Sequence, residues 1–406
     1  MGIEGLNRLV SLGIVITLIA AISGFVCVTD AASATYFVSP NGSDSNSGTQ
    51  AQPFRTLSHG VTVLTPGDTL YVVAGTYAET LYCNINVCIP SGTSSAPVTI
   101  AAYQRQTVIL QPTSGLRVLN FANNQQYIII DGLTIDAVNV GYDAIQFEGT
   151  SNHITVKNTE VKNAKFQGIN IGPNAGSLQV TNSVLHDIGT TSLTHGIYVA
   201  GSNNTIEKTT IYNIASYGIH IYNAYAGSSA NNNIVRKNRI YNVALDNPGV
   251  ASGILLSSGT NNLAYDNIVY SNPIGIRAYD GAINNQIYNN TAYNNSNYNI
   301  RVEPGATNTQ IINNIAYLNG ATISDAGVGT TMSNNLTTDP KFVDPATEQF
   351  ELQSISPAIA KGVTLAAVPD DYADIPRPQG SAYDVGAYEF TSSIIPAAPA
   401  NLRIVP

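Results

Sequence analysis

Charge is scarce in this chain. Asp, Glu, Lys and Arg make up 11% of its 406 residues, and the formal net charge is −9. With 17 basic side chains against 26 acidic ones, it lacks the positive surface that grips a phosphate backbone, so nucleic acid is excluded as a partner. An acidic ligand meets a mildly repulsive mean field and needs a local basic cluster or a bound cation. Cysteine is scarce too, with three in all. No serine-hydrolase elbow, phosphate-binding loop or zinc-ligand spacing occurs, which removes several motif-borne chemistries. Low charge with abundant Asn, Gly, Ser, Thr and Tyr would suit disorder, but regular Ile and Val spacing argues against it.

Residues 1–34 read as a secretory signal: Arg8 near the start, an apolar run from Leu9 to Val28, then Ala32-Ser33-Ala34 as a small-residue cleavage site. An uncleaved anchor is the competing reading, because the run is long enough to span a bilayer. Membrane association is expected only if that segment stays uncleaved, and a secreted, cell-surface or periplasmic location follows. Gly24-Phe25-Val26 before Cys27 does not make a lipoprotein box. Cys83 and Cys88 remain, an even number in an exported chain and close enough for a local disulfide that pins one surface insertion. Their spacing alone leaves the pairing open.

Seven segments restart on one phrase, a small residue followed by an alternating apolar pair: Ala144-Ile145-Gln146-Phe147, Gly168-Ile169-Asn170-Ile171, Gly196-Ile197-Tyr198-Val199, Gly218-Ile219-His220-Ile221, Gly253-Ile254-Leu255-Leu256, Gly275-Ile276-Arg277-Ala278 and Asn299-Ile300-Arg301-Val302. A repeat of this kind means stacked coils, none of which buries its apolar face without a neighbour. Each restart is followed by two more short β-like runs, giving three strands per coil. Parallel strands joined by crossovers are right-handed. The fold class is therefore all-β, a right-handed parallel β-helix over residues 35–338.

Asparagine recurs between the second and third runs, at Asn158, Asn182, Asn238, Asn267, Asn290 and Asn314, with Thr209 breaking the series. Stacked amides there would satisfy corner backbone groups. Three positions on, Leu185, Tyr212, Tyr241, Tyr270, Tyr293 and Tyr317 should face outward. The tyrosines form either a sugar-binding platform or, on the plainer reading, a ring ladder decorating a flank. Phe54, Leu57, Val61 and Leu64 share one helical face and suit an N-terminal capping helix, with residues 339–390 as a C-terminal cap and 391–406 as a Pro/Ala-rich tail.

Tyr36-Phe37-Val38-Ser39-Pro40-Asn41-Gly42-Ser43-Asp44, Pro53-Phe54-Arg55-Thr56-Leu57 and Gly67-Asp68-Thr69-Leu70-Tyr71-Val72 resemble the opening of secreted right-handed β-helix proteins of the pectate-lyase-like superfamily. Ser356-Pro357-Ala358-Ile359, Asp374-Ile375-Pro376-Arg377-Pro378 and Asp384-Val385-Gly386-Ala387-Tyr388-Glu389 resemble the closing module of bacterial choice-of-anchor Q proteins. The resemblance implies export and a polysaccharide partner, with Ca²⁺ as the cation such folds employ. A monomer is expected.

Between the two apolar residues of each restart lies one outward position, and this column runs Gln146, Asn170, Tyr198, His220, Leu255, Arg277, Arg301. A parallel column two residues on gives Glu148, Gly172, Ala200, Tyr222, Ser257, Tyr279, Glu303. Insertions at 187–194, 223–233 and 242–252 flank this face, where binding walls are usually built. The candidate cleft therefore contains Tyr198, His220 and Arg277 as catalytic groups and His195, Tyr222, Tyr279 and Arg301 as substrate-binding ones. Tyr and His suit proton transfer at C5 of a uronate, and arginine suits its carboxylate, as in a lyase or epimerase. The epimerase hexapeptide Tyr-Gly-x-Asp-Pro-His is absent, with only Tyr217-Gly218-Ile219-His220 near it, and Asp143, Glu148, Asp280 and Glu303 are too dispersed for one calcium site. Asp370, Asp371 and Asp374 are the densest carboxylates, read as a structural motif. His153 and His186 read as solvated or backbone-bonded, His186 in a turn, and Lys157, Lys162, Lys165, Lys208, Lys237 and Arg239 as solvent-facing. The rival function is a non-catalytic glycan-binding or structural surface protein.

Overall fold

The computed structural model describes residues 33–222, 230–244, 246 and 249–392. The segments read as a signal and as a tail therefore lie almost wholly outside the described residues. The rest winds into a parallel solenoid whose three faces are sheets of ten, twelve and ten strands. One coil shows the plan: Gln167–Ile171 on the first face, Gln179–Thr181 on the second, Val184–Ile188 on the third, then His195–Val199 directly beside Gln167–Ile171.

The restart phrase builds the first face, and its register is unbroken. Ile145, Ile169, Ile197, Ile219, Ile254, Ile276 and Ile300 stand side by side on successive strands, each fully buried. Alternation turns this ladder inward, and burying each isoleucine contributes roughly 1.5–3 kcal/mol. The small residue ahead of it has a steric cause. A Cβ on Gly168, Gly196 or Gly218 would sit 2.6, 2.7 or 2.5 Å from the carbonyl oxygen of the equivalent glycine one coil on.

The corner between the second and third faces holds two adjacent columns rather than one. The first has positive φ, at Asn158, Asn182, Lys208, Lys237, Asp266, Asn289 and Asn313, a conformation that asparagine tolerates better than most residues. In the second, Asn238, Asn267, Asn290 and Asn314 are buried and form a ladder in which the amide oxygens of Asn267, Asn290 and Asn314 each accept from the backbone N–H and the side-chain amide of the asparagine one coil before, at 2.9–3.0 Å. Asn158 and Asn182 thus belong to the first column, and Thr159, Ser183 and Thr209 continue the second. The same one-residue slip misplaced Leu185, which is buried in the core; its neighbour His186 is in strand, not turn, and stacks on Tyr212 at 5.0 Å. The ladder proceeds through Tyr241 and Tyr270, and Phe350 covers Tyr270 and Tyr293. Ring faces from His186 to Tyr270 are thus filled by neighbouring rings, the arrangement of a ring ladder.

The helix Leu57–Thr62 packs at the front with Leu57 and Val61 buried, and Cys83 is joined to Cys88. Residues after 339 run along the side of the solenoid. Arg377, fully buried, bonds Asp266 at 2.8 Å and Glu389 at 2.7 Å. Lys237 bonds Asp370 and Asp374, Lys208 bonds Asp374, and Arg239 bonds Glu348. Lys237 and Arg239 thus anchor the segment instead of facing solvent, while Lys208 stays exposed as expected and pairs at the surface. Asp371 accepts backbone N–H groups of Ala373, Ile375 and Glu389, so the Asp cluster closes a structural clamp.

Gly218→Val should lower the urea midpoint by an amount equivalent to about 1–3 kcal/mol, whereas Gly249→Val, where a Cβ meets nothing within 4 Å, should not. Equal stability of the two variants would contradict the steric account.

Candidate active site

The insertion at 187–194 and the restart face enclose a cleft of about 550 Å³. Its floor is open because the column two residues past the restart is small in the middle, Gly172 and Ala200, between Glu148 at one end and Tyr222 at the other. His195, Tyr198, His220 and Tyr222, four of the expected residues, line it together. Register places Tyr198 beside His220 and His195 beside Tyr217. The Tyr198 ring centroid is 5.1 Å from that of His195 and 5.5 Å from that of His220, while Tyr222 lies parallel over His220 at 5.2 Å.

Arg277, Tyr279 and Arg301, expected farther down the same face, do not line the cleft. Glu303 bonds Arg277 at 2.8 Å and Arg301 at 2.9 Å. Arg277 also donates to the Val250 carbonyl at 3.1 Å and lies over the Tyr279 ring. One carboxylate thus ties both guanidiniums together outside the cleft.

The cleft extends the other way, to residues the repeat analysis did not weigh. Arg117 sits at the far end, 3.3 Å from Asp143 and 3.8 Å from Glu148, and donates to the Tyr82 hydroxyl at 2.6 Å. Burial raises the pKa of Asp143 above its ordinary value, although bonds from Asn170, Arg117 and Gln167 pull it down. Asp143 and Glu148 thus share one cleft, but a guanidinium occupies the space between them. Among the described residues no group of three or more His, Cys, Asp or Glu is arranged to hold a metal ion.

A hydrogen-bonded chain crosses the floor. The Gln167 amide oxygen lies 2.7 Å from His195 Nδ1, and His195 Nε2 lies 2.9 Å from His220 Nδ1. With that oxygen facing the ring, His195 Nδ1 donates, its Nε2 accepts from His220 Nδ1–H, and His220 Nε2 is left with a lone pair. That atom is buried and has no hydrogen-bond partner. Burial lowers His195 to about 3. His220 is pushed well below its usual value by burial first, then by positive charge on His195 and Arg277. Both rings are neutral at neutral pH.

His186 and His153 lie elsewhere. His186 bonds Glu160 at 3.0 Å and Asp187 at 2.7 Å; burial alone would lower its pKa, but the two carboxylates more than reverse this and raise it. His153 stacks on Tyr127 and bonds Asn152.

Two family models match the chain, a Pel9A-like right-handed beta helix region over residues 36–190 and a right-handed beta helix region over 174–338. The fold is the right-handed parallel β-helix. The crystal structure of pectate lyase Pel9A superposes with a TM-score of 0.71 at 18% identity, covering 89% of this chain and 97% of that one. A rhamnogalacturonan lyase gives 0.58 at 17% identity over 76% and 90% of the two chains, and an alginate lyase from Paenibacillus sp. str. FPU-7 gives 0.55 at 18% over 75% and 98%. At such identities the likeness establishes the β-helix alone. In sequence, the uncharacterised protein YwoF of Bacillus subtilis (strain 168) is 34% identical over 142 residues, 32% of this chain and 29% of its own. Pectate lyase PEL9 of Emericella nidulans is 40% identical over 77 residues, 19% of this chain and 18% of its own. The matched stretch thus spans less than a third of either curated relative. No helix among the described residues is long and apolar enough to cross a membrane.

The depressed His195 has a consequence for stability. Unfolded, it takes up a proton near 6.5, and folded only near 3. Between these values the unfolded state binds more protons, so this contribution is full above pH 6.5 and is lost as pH falls towards 3. His195→Asn should flatten the decline of the urea midpoint between neutral and mildly acidic pH. An equally steep decline would contradict the assignment.

Proposed function

We propose that the cleft binds a uronate-containing polysaccharide and removes the C5 proton of one residue, with His220 as base and Tyr198 as proton donor. One observation supports this above the others: a neutral imidazole with an unpartnered Nε2 adjoins a tyrosine in the floor of a cleft on the restart face. A C5–H next to a carboxylate is acidic, and a base working at neutral pH must itself be uncharged. In the elimination form, Nε2 takes the C5 proton, the released electron pair forms the C4–C5 double bond, and the C4–O bond breaks while Tyr198 protonates the departing oxygen. In the epimerising form, a proton returns to C5 from the opposite face. Arg277, held by Glu303, has no part in this reading. The polysaccharide lyases among the structural neighbours and the pectate lyase relative support a glycan substrate.

Incubation with pectate, rhamnogalacturonan, alginate and glycosaminoglycans, with and without calcium, should raise unsaturated-uronate absorbance, or change uronate stereochemistry by NMR without cleavage. Tyr198→Phe and His220→Ala should each reduce turnover about 10²-fold or more with little change in melting temperature. The acid limb of kcat/KM should lie below pH 6.5, because burial holds His220 down. Undiminished turnover in both variants would remove the pair from the reaction. Retained glycan binding with no turnover on any polymer would favour the non-catalytic reading.

A further inference from the structure

We infer that the Arg117 end of the cleft is a subsite for a neutral sugar, which makes the ligand a mixed glycan and not a uniform polyuronate. The inference rests on the cleft being a glycan site, and three features of that end carry it.

The first is charge. Arg117 is the one permanent cation among the described residues lining the cleft, and it is engaged by both Asp143 and Glu148. One guanidinium against two carboxylates leaves a sugar carboxylate no net attraction there and a desolvation cost to meet. The second is hydrogen-bonding polarity. Gln146 Oε1, in the cleft floor, has no partner, and Asn120, 3% exposed on the adjoining strand, likewise keeps an unpartnered Oδ1 while its amide nitrogen donates to Glu148. Orphaned acceptors beside carboxylates call for donors, which sugar hydroxyls supply and carboxylates do not.

The third is an apolar wall at the mouth. Tyr142 and Phe166, on successive coils, are 48% and 36% exposed, with ring centroids 5.7 Å apart. Together they offer a ring surface at low entropic cost to the C–H face of a pyranose. Phe166 precedes Gln167, whose strand is two steps from that of His220, about 10 Å away. A neighbouring sugar, rather than the one losing its proton, occupies this wall.

The test is calorimetric binding of tetragalacturonate and of its carboxyl-reduced, neutral form to the full chain and to a Tyr142→Ala/Phe166→Ala variant. Both replaced side chains are exposed, and circular dichroism checks the fold. The neutral tetramer should bind the native chain with an affinity that salt barely alters, and the double variant should weaken it about tenfold or more. Failure of the neutral tetramer to bind while tetragalacturonate binds, or equal affinity of native and variant chains, would overturn the subsite. Turnover is not read in this experiment. Loss of the proposed catalytic role would leave these affinities unchanged, and loss of the subsite would leave the roles of Tyr198 and His220 open to their own test.

Discussion

Everything in this molecule depends on parallel strands pairing in one register, coil after coil, about 4.8 Å apart. That spacing sets which residue touches which. It stacks isoleucine on isoleucine inside, asparagine on asparagine at the corner, and tyrosine on tyrosine along one flank. It also leaves no room for a Cβ at the glycines that open the inner restarts, such as Gly168, Gly196 and Gly218, because the next coil's carbonyl is already there. The core is thus a one-dimensional stack in which each coil is held by its neighbours.

The cleft is a local departure from that regularity. Where the outer columns shrink to Gly172 and Ala200, a groove opens. Where the chain takes an extra loop before His195, the groove gains a wall bearing Leu193, 69% exposed. Its two ends differ chemically: one carries a neutral histidine pair under aromatic cover, the other an arginine pinned between carboxylates. Burial above all holds the two histidines down, with nearby positive charge adding to it at His220, so both stay neutral at neutral pH. A similar local pairing ties Arg277 and Arg301 to one buried Glu303, outside the cleft lining.

Periodicity made the fold legible, and it placed Tyr198 next to His220 correctly in the outward column because the restart phrase carries its own register mark. The corner carried a weaker mark. Two adjacent positions both favour small polar residues, so Asn158 and Asn182 were taken for the ladder when Thr159 and Ser183 hold it, and Leu185 slipped with them. Arg117 and Gln167 were missed because they stand two residues ahead of the apolar pair, in a column of Arg117, Asp143, Gln167, His195 and Tyr217 that has no common residue type. Extending the columns one coil towards the N-terminus and two residues outward would have found them. Lys237 and Arg239 gave no local sign of burial, nor Lys208 of its ion pair. Their partners Asp374, Asp370 and Glu348 are more than a hundred residues away in sequence, and only the side-on course of the C-terminal segment joins them.

The central claim is that a glycan lies along the restart face, from Phe166 towards His220. A crystal structure of the full chain with a bound mixed oligosaccharide tests it most directly. The account predicts density running along the coil axis within the cleft, with one ring against Phe166 and another within reach of Tyr198. Density on the flank of Tyr212 and Tyr241, with the cleft empty, would contradict it.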